Sequence, residues 1–290
     1  MVDVITELPR LEPRAPDSNK GSYGRILVIA GSRGMSGAAV LCASAALRGG
    51  AGLVKLAVPQ EIWPIVAAAN PCYTTFPLPQ DGTGRVSPLA LPELLAEART
   101  QDVVAVGPGL GRSDAHIGLL ADLLDQVAVP IVLDADGINA FASQPARLRA
   151  PAGAARIITP HPGEFARLLQ TDTATVQSQR RELAVRFALE HQLIVVLKGY
   201  ATLVTDGHRL YRNSTGNPGL ATGGTGDVLT GLIAALCGQG LEPFAAAQLG
   251  TYLHGLAGDL ARDQLGEVSL IASDLLDYLP AAFRCFQAGR

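Results

Sequence analysis

Lysine is almost missing from this chain: only Lys20, Lys55 and Lys198 occur among 290 residues, against twenty arginines. Charge of both signs is scarce, at 17% of residues, where soluble proteins average about 25%. With 48% apolar residues, that balance excludes a disordered chain or a coiled coil. A net charge of −3 gives no electrostatic reason to expect nucleic acid or an anionic membrane as partner. Long hydrophobic runs are also missing. The most apolar stretch, 36–59, is interrupted by Arg48, Lys55 and glycines, so no membrane span is expected. Residues 1–20 have no leader-like apolar segment, and the expectation is a soluble, cytoplasmic protein. The four cysteines (Cys42, Cys72, Cys237 and Cys285) form no C-x-x-C pair and read as buried thiols of a reducing compartment. There is no G-K-[ST] and no G-x-G-x-x-G, which excludes a P-loop and a Rossmann fingerprint. The histidines share no ligand spacing, which argues against a zinc site built by the protein.

Small residues are abundant instead. Glycine and alanine together make up about a quarter of the chain, which implies close packing and extensive burial. Short apolar runs bounded by Gly or Pro predict strands at 25–31, 52–59, 102–107, 130–134, 155–159, 193–197 and 202–206, each covered on both faces. Amphipathic stretches predict helices at 37–48, 115–126 and 176–192. In the last of these, Leu183, Phe187 and Ala188 face inward, while Arg180, Arg181, Glu182, Arg186 and Glu190 face water. Three further helices, at 227–237, 243–262 and 273–286, follow without strands between them. Repeated strand–helix–strand units imply an α/β fold with a mostly parallel central sheet and helices on both sides. No linker or repeat divides the chain, so residues 1–290 read as one three-layer domain, with 1–20 as an extension and 70–88 as a surface excursion.

The densest chemical signal runs from Asn213 to Gly231. Gly223, Gly224, Thr225 and Gly226 lead directly into a helix beginning near Asp227. Unpaired N–H groups at a helix start, together with the helix dipole, favour an anion such as phosphate. Asp227 either caps the helix or acts as a general base toward a hydroxyl receiving a phosphoryl group. Capping needs none of the neighbouring threonines and glycines. Lys198, Gly199, Tyr200, Ala201 and Thr202 follow a strand, and ligands bind at the carboxyl ends of strands in open α/β sheets. His161 and Glu164 lie at another strand end, stiffened by Pro160 and Pro162; each is either structural or aimed at a ligand or a metal-bound water. Further strand ends carry 31–39, 107–111, and the trio Asp134, Asp136 and Asn139.

In order along the chain stand K-G-S-Y-G-R-I-L-V-I-A-G-S, G-A-G-L-V-K-L-A-V-P, G-P-G-L-G, D-A-D-G-I-N, T-P-H-P-G-E, L-K-G-Y-A-T and N-P-G-L-A-T-G-G-T-G-D-V-L-T-G. This series resembles the ADP-dependent NAD(P)H-hydrate dehydratases of the ribokinase-like superfamily, from about residue 20 to the C-terminal helices. The resemblance implies a three-layer αβα ribokinase-like fold. It also implies repair of the S epimer of NADH or NADPH hydrated at C6, with ADP (or ATP) as phosphoryl donor, magnesium, and release of AMP and phosphate. Asp227 would deprotonate the C6 hydroxyl, and Gly223, Gly224, Thr225 and Gly226 would hold the transferred phosphoryl group. Lys198, Gly199, Tyr200, Ala201, Thr202 and Gly226 would contact the adenine nucleotide. Ala39, Gly111, His161 and Asp227 would line the hydrate pocket, and Glu164 would serve magnesium through water. Met35, Leu220 and Tyr200 depart from the family pattern. The low charge and the alanine-rich C-terminal helices favour a homo-oligomer, a tetramer above all, and the resemblance further implies an epimerase carried by a separate protein. The alternative is a kinase of the same fold acting on a vitamin precursor or other small alcohol.

Overall fold

Continuous runs of branched apolar residues bounded by glycine and proline account for most of the sheet. The structure, a computed structural model, describes residues 2–151 and 153–289. Its strands are β1 (Asp3–Ile5), β2 (Arg25–Ile29), β3 (Leu53–Pro59), β4 (Thr74–Leu78), β5 (Val103–Val106), β6 (Ile131–Leu133), β7 (Arg156–Ile158), β8 (Ile194–Leu197), β9 (Leu203–Thr205) and β10 (Arg209–Arg212). They form one sheet in the order β1-β10-β9-β8-β7-β6-β5-β2-β3-β4. Only β9 runs antiparallel to its neighbours. All seven expected strands are present.

The helices are α1 (Ser36–Arg48), α2 (Trp63–Ala69), α3 (Leu91–Ala98), α4 (Asp114–Gln126), α5 (Asp136–Asn139), α6 (Pro162–Leu168), α7 (Thr173–Ser178), α8 (Arg180–His191), α9 (Thr225–Gly238), α10 (Pro243–Leu265) and α11 (Ala272–Ala288). The two-residue period of each strand divides the interior into two cores. Ile26 and Val28 join the core beneath α1, α9, α10 and α11. Leu27 and Ile29 join the opposite core, beneath α3, α4 and α8. This is the expected three-layer α/β arrangement.

Small residues set the depth at which α9 sits. A methyl group on Gly231 would lie 2.0 Å from the Cys42 carbonyl oxygen of α1. The two helices therefore touch backbone to backbone, which brings the N-terminal turn of α9 to the carboxyl edge of the central strands.

Four expectations need correction. The stretch 70–88 is more than a surface excursion, because Thr74–Leu78 pairs with β3 as the sheet's last strand. Pro77 suits that edge, where one side needs no ladder N–H. The expected helix at 176–192 is broken at Gln179 (φ −125°) into α7 and α8. Arg180 consequently turns inward, half-buried, and donates to the carbonyls of Leu197 (2.9 Å) and Lys198 (3.2 Å). Cys42 and Cys237 are buried, but Cys72 and Cys285 are exposed, one in the turn before β4 and the other on the outer side of α11. Within the N-terminal extension, β1 pairs in parallel with β10 at the opposite sheet edge.

Candidate active site

The strand order places the loops after β8, β7, β6, β5 and β2 side by side along one edge. In that sequence lie Lys198, His161, Asp134, Gly107–Gly111 and Gly31–Ala39. The segments read separately in the sequence are thus neighbours, in the place where open parallel sheets bind ligands.

A buried ion pair organises the β6–β8 end. The Lys198 ammonium donates to Asp134 Oδ1 at 2.7 Å, with side-chain exposures of 20% and 1%. Thr159 Oγ1 donates to the same oxygen at 2.7 Å. Burial works against both charges, but their mutual attraction prevails: the Asp134 carboxyl is held below its ordinary range and the Lys198 amine above its own. Glu164 Oε2 lies 3.9 Å from the same ammonium. Burial is the main force raising the Glu164 carboxyl above the usual range, and Asp134 adds to it.

His161 begins α6 as its N-cap. Pro162 at the first helical position has no N–H to satisfy, and the imidazole Nδ1 accepts instead from the N–H groups of Gly163 (3.0 Å) and Glu164 (3.3 Å). Glu164 Oε2 accepts in return from the His161 N–H at 2.8 Å, a reciprocal capping box. Burial, assisted by the charges of Lys198 and Arg167, lowers the imidazole's proton affinity. With Nδ1 accepting, the ring proton belongs on Nε2, 3.4 Å from Glu164 Oε1.

Gly224 caps α9 with φ +94°, a conformation in which a β-carbon is costly. A methyl there would lie 2.7 Å from Leu41 Cδ1 and 2.9 Å from Ala272 Cβ. The Val228 N–H is the first to bond within the helix, to Gly224 O at 3.2 Å. The N–H groups of Thr225, Gly226 and Asp227 have no acceptor among the described residues. Thr225 Oγ1 ties the loop together by donating to the carbonyls of Leu220 and Thr222. From α10, His254 Nε2 lies 2.8 Å from the Thr225 carbonyl. Burial pushes its imidazole down to about 4, so the ring is neutral near pH 7 and donates this bond.

Gly226 packs directly against the ion pair, since a methyl there would lie 3.1 Å from Lys198 Nζ and 3.6 Å from Asp134 Oδ2. One residue further on, the Asp227 carboxyl is half-buried. Burial and then the Asp134 charge raise it to about 7, against the opposing pull of Lys198. A carboxylate with that pKa, beside three free N–H donors, is fitted to take a proton near an anion.

The remaining expected residues are placed less uniformly. Tyr200 is 94% exposed, on a turn closed by Thr202 Oγ1 donating to Gly199 O at 3.0 Å. Gly111 donates its N–H to Asp136 Oδ2 at 2.9 Å. Ala39 is fully buried, with its methyl beneath Gly31, so, against expectation, the structure gives it no surface facing the site. Among the described residues, no group of three or more His, Cys, Asp or Glu side chains is arranged to hold a metal ion. Arg180 and His254, which shape the two loops, carry no local sequence signal for those contacts.

Comparisons with known proteins find relatives along nearly the whole chain. Residues 26–281 match the model of the family described as NAD(P)H-hydrate dehydratase. A bifunctional NAD(P)H-hydrate repair enzyme of Moorella thermoacetica is 48% identical over 96% of this chain, which spans about half (52%) of that relative's length. An ADP-dependent (S)-NAD(P)H-hydrate dehydratase of Neisseria meningitidis is 40% identical, covering 97% of this chain and 92% of its own. The crystal structure of an ADP/ATP-dependent NAD(P)H-hydrate dehydratase from Bacillus subtilis, co-crystallised with ATP and Mg2+, superposes with a TM-score of 0.82 at 31% identity over 94% of each chain.

Proposed function

The chain belongs to the NAD(P)H-hydrate dehydratase family, and from that membership we propose that it dehydrates the S epimer of C6-hydrated NADH or NADPH at the expense of ADP. The observation that carries this reading is Asp227, in the first turn of α9 directly after the Gly226 that packs on the Lys198–Asp134 pair, where burial raises its carboxyl to about 7. Asp227 takes the proton of the C6 hydroxyl, and the freed oxygen attacks the terminal phosphorus of ADP. AMP departs. The N–H groups of Gly223, Gly224, Thr225, Gly226 and Asp227 offset the charge on the transferring group. The new C6–O–phosphate bond then breaks as the ring nitrogen's lone pair moves toward C6, and phosphate leaves with the bonding electrons. Loss of the C5 proton restores the dihydropyridine ring.

Lys198 and the turn Gly199, Tyr200, Ala201 and Thr202 hold the nucleotide, together with Gly226. Gly111 and His161 border the hydrate, with Ala39 packed beneath that loop. Magnesium keeps several waters and binds chiefly through phosphates and one or two carboxylates; Glu164, beside Lys198, fits an outer contact to such waters, whereas an all-protein cage does not fit the described residues. Bound there, the ion would neutralise phosphate charge. Residues 1–290 act as one domain on a single sheet. The weakly charged, alanine-rich helices favour a homotetramer. No helix among the described residues is long and apolar enough to cross a membrane, which is compatible with a cytoplasmic location. Because only one epimer is consumed, an epimerase activity is the functional partner, whichever polypeptide carries it.

A kinase leaving a stable phosphate ester would use the same Asp227, but the names of the relatives favour the dehydratase. Mixing the chain with ADP or ATP, magnesium and (S)-NADH hydrate distinguishes the two. NADH absorbance returns with stoichiometric phosphate if the proposal holds; no return with either nucleotide rejects it.

A further inference from the structure

The hairpin 80–87 is held over the Gly111 end of the site by three independent contacts. The Arg33 N–H donates to Gly84 O at 3.0 Å, tying the hairpin to the loop after β2. His116 places one ring nitrogen 2.9 Å from Val86 O and the other 3.0 Å from Gly111 O, joining the hairpin to the loop after β5. The Arg85 side chain itself lies on Gly111, where an added methyl would stand 2.7 Å from Arg85 Nε.

Arg85 is half-buried; among the described residues its guanidinium makes no hydrogen bond and no ion pair at contact distance, although its charge is felt weakly by the Asp81 carboxylate. The other charges at this rim are already engaged. Arg33 and Glu61 form a two-bond pair at 2.6 and 2.7 Å. Asp136 accepts from the Gly111 N–H and faces Arg112 at 3.7 Å. The Asp81 carboxylate accepts from the Thr83 N–H and hydroxyl and from the Arg85 backbone N–H. A half-buried guanidinium to which no carboxylate is hydrogen-bonded suits a planar, doubly hydrogen-bonded anion, above all a phosphoryl group.

We propose that Arg85 binds a phosphoryl group of the dinucleotide, at the pyrophosphate or the ribose 2′-phosphate, on the Gly111 side of Asp227. This rests on the hydrate reading above: the nucleotide donor occupies the Lys198 end, and a second, negatively charged dinucleotide must approach Asp227 from the β5–β2 side. The repaired products NADH and NADPH carry the same phosphates and serve as probes without turnover.

Calorimetric affinities for NADH, NADPH and ADP are compared in wild type, Arg85→Met (which keeps the packing on Gly111) and Arg85→Lys. Loss of one charge-assisted bidentate contact weakens binding by about tenfold or more. Arg85→Met is expected to weaken both dinucleotides if the pyrophosphate is held, or NADPH alone if the 2′-phosphate is held. ADP affinity stays unchanged, and Arg85→Lys recovers part of the loss. Unchanged dinucleotide affinity in Arg85→Met, no dinucleotide binding by wild type, or an equal loss for ADP would each overturn the assignment. Failure of hydrate repair by wild type that still binds NADPH through Arg85 would reject the reaction and not the binding site.

Discussion

The two ends of the sheet edge are organised by different forces. At the β6–β8 end, charges hold one another: Lys198, Asp134 and Glu164 are buried together, with Thr159 and the His161 cap beside them. At the β5–β2 end, backbone holds backbone. The Gly31 N–H bonds to Pro108 O, Ser32 Oγ to Gly109 O, and the charged groups stay at the rim. Asp227 lies between these regimes. In the proposed reading, the charged end meets the phosphates of the nucleotide with Lys198, and the backbone end borders the dinucleotide, with Arg85 at its rim.

Variants that disturb one end and spare the other test this contrast. The largest effect is expected for Lys198→Met, which leaves Asp134 buried without its cation. Breaking such a pair costs about 3–5 kcal/mol, to be read as a lowered denaturant midpoint, and ADP binding should weaken in parallel. Gly224→Ala comes next. Strain from its positive φ and the contacts with Leu41 and Ala272 should cost about 1–3 kcal/mol and slow turnover, while NADPH affinity at the other end stays near wild type.

The pH profile of kcat/KM reports on the junction. With Asp227 raised to about 7, the ionised base falls about tenfold per pH unit below that value, and kcat/KM should fall with it. The stability effect has the opposite sign. Because the folded protein holds this proton more tightly than the unfolded chain, the group's contribution to stability is greatest at low pH and is lost as pH rises toward 7. Asp227→Asn should therefore melt at higher temperature than wild type at pH 8, and differ less at pH 5. The smallest effect is expected at His161. His161→Ala removes the α6 cap, at about 1 kcal/mol. His161→Asn restores the cap, so any rise in KM for the hydrate that persists in it measures contact by the imidazole.

Much of this arrangement was legible in the sequence because local pattern produces it. Most of the seven expected strands are continuous apolar runs, and the glycines and Asp227 stand at a helix start where their chemistry is plain. The outer strands at both ends of the sheet were not legible. β1 is three residues long, β4 contains Pro77, and β10 has only its two middle residues buried. Arg180 read as a solvent-facing helix residue because the break at Gln179, which turns it toward Leu197 and Lys198, has no glycine or proline to mark it. His254 and Arg85 gain their places through contacts 29 and 26 residues away in sequence, with Thr225 and Gly111 respectively. Such pairings depend on sheet order, which no single segment encodes.

The central claim is that both ends meet at one base. Single-turnover dehydration of (S)-NADH hydrate by Asp227→Asn, with ADP affinity measured on the same sample, tests it most directly. The account predicts near-normal ADP affinity and a rate lowered by about 10²–10⁴. A rate close to wild type would contradict it.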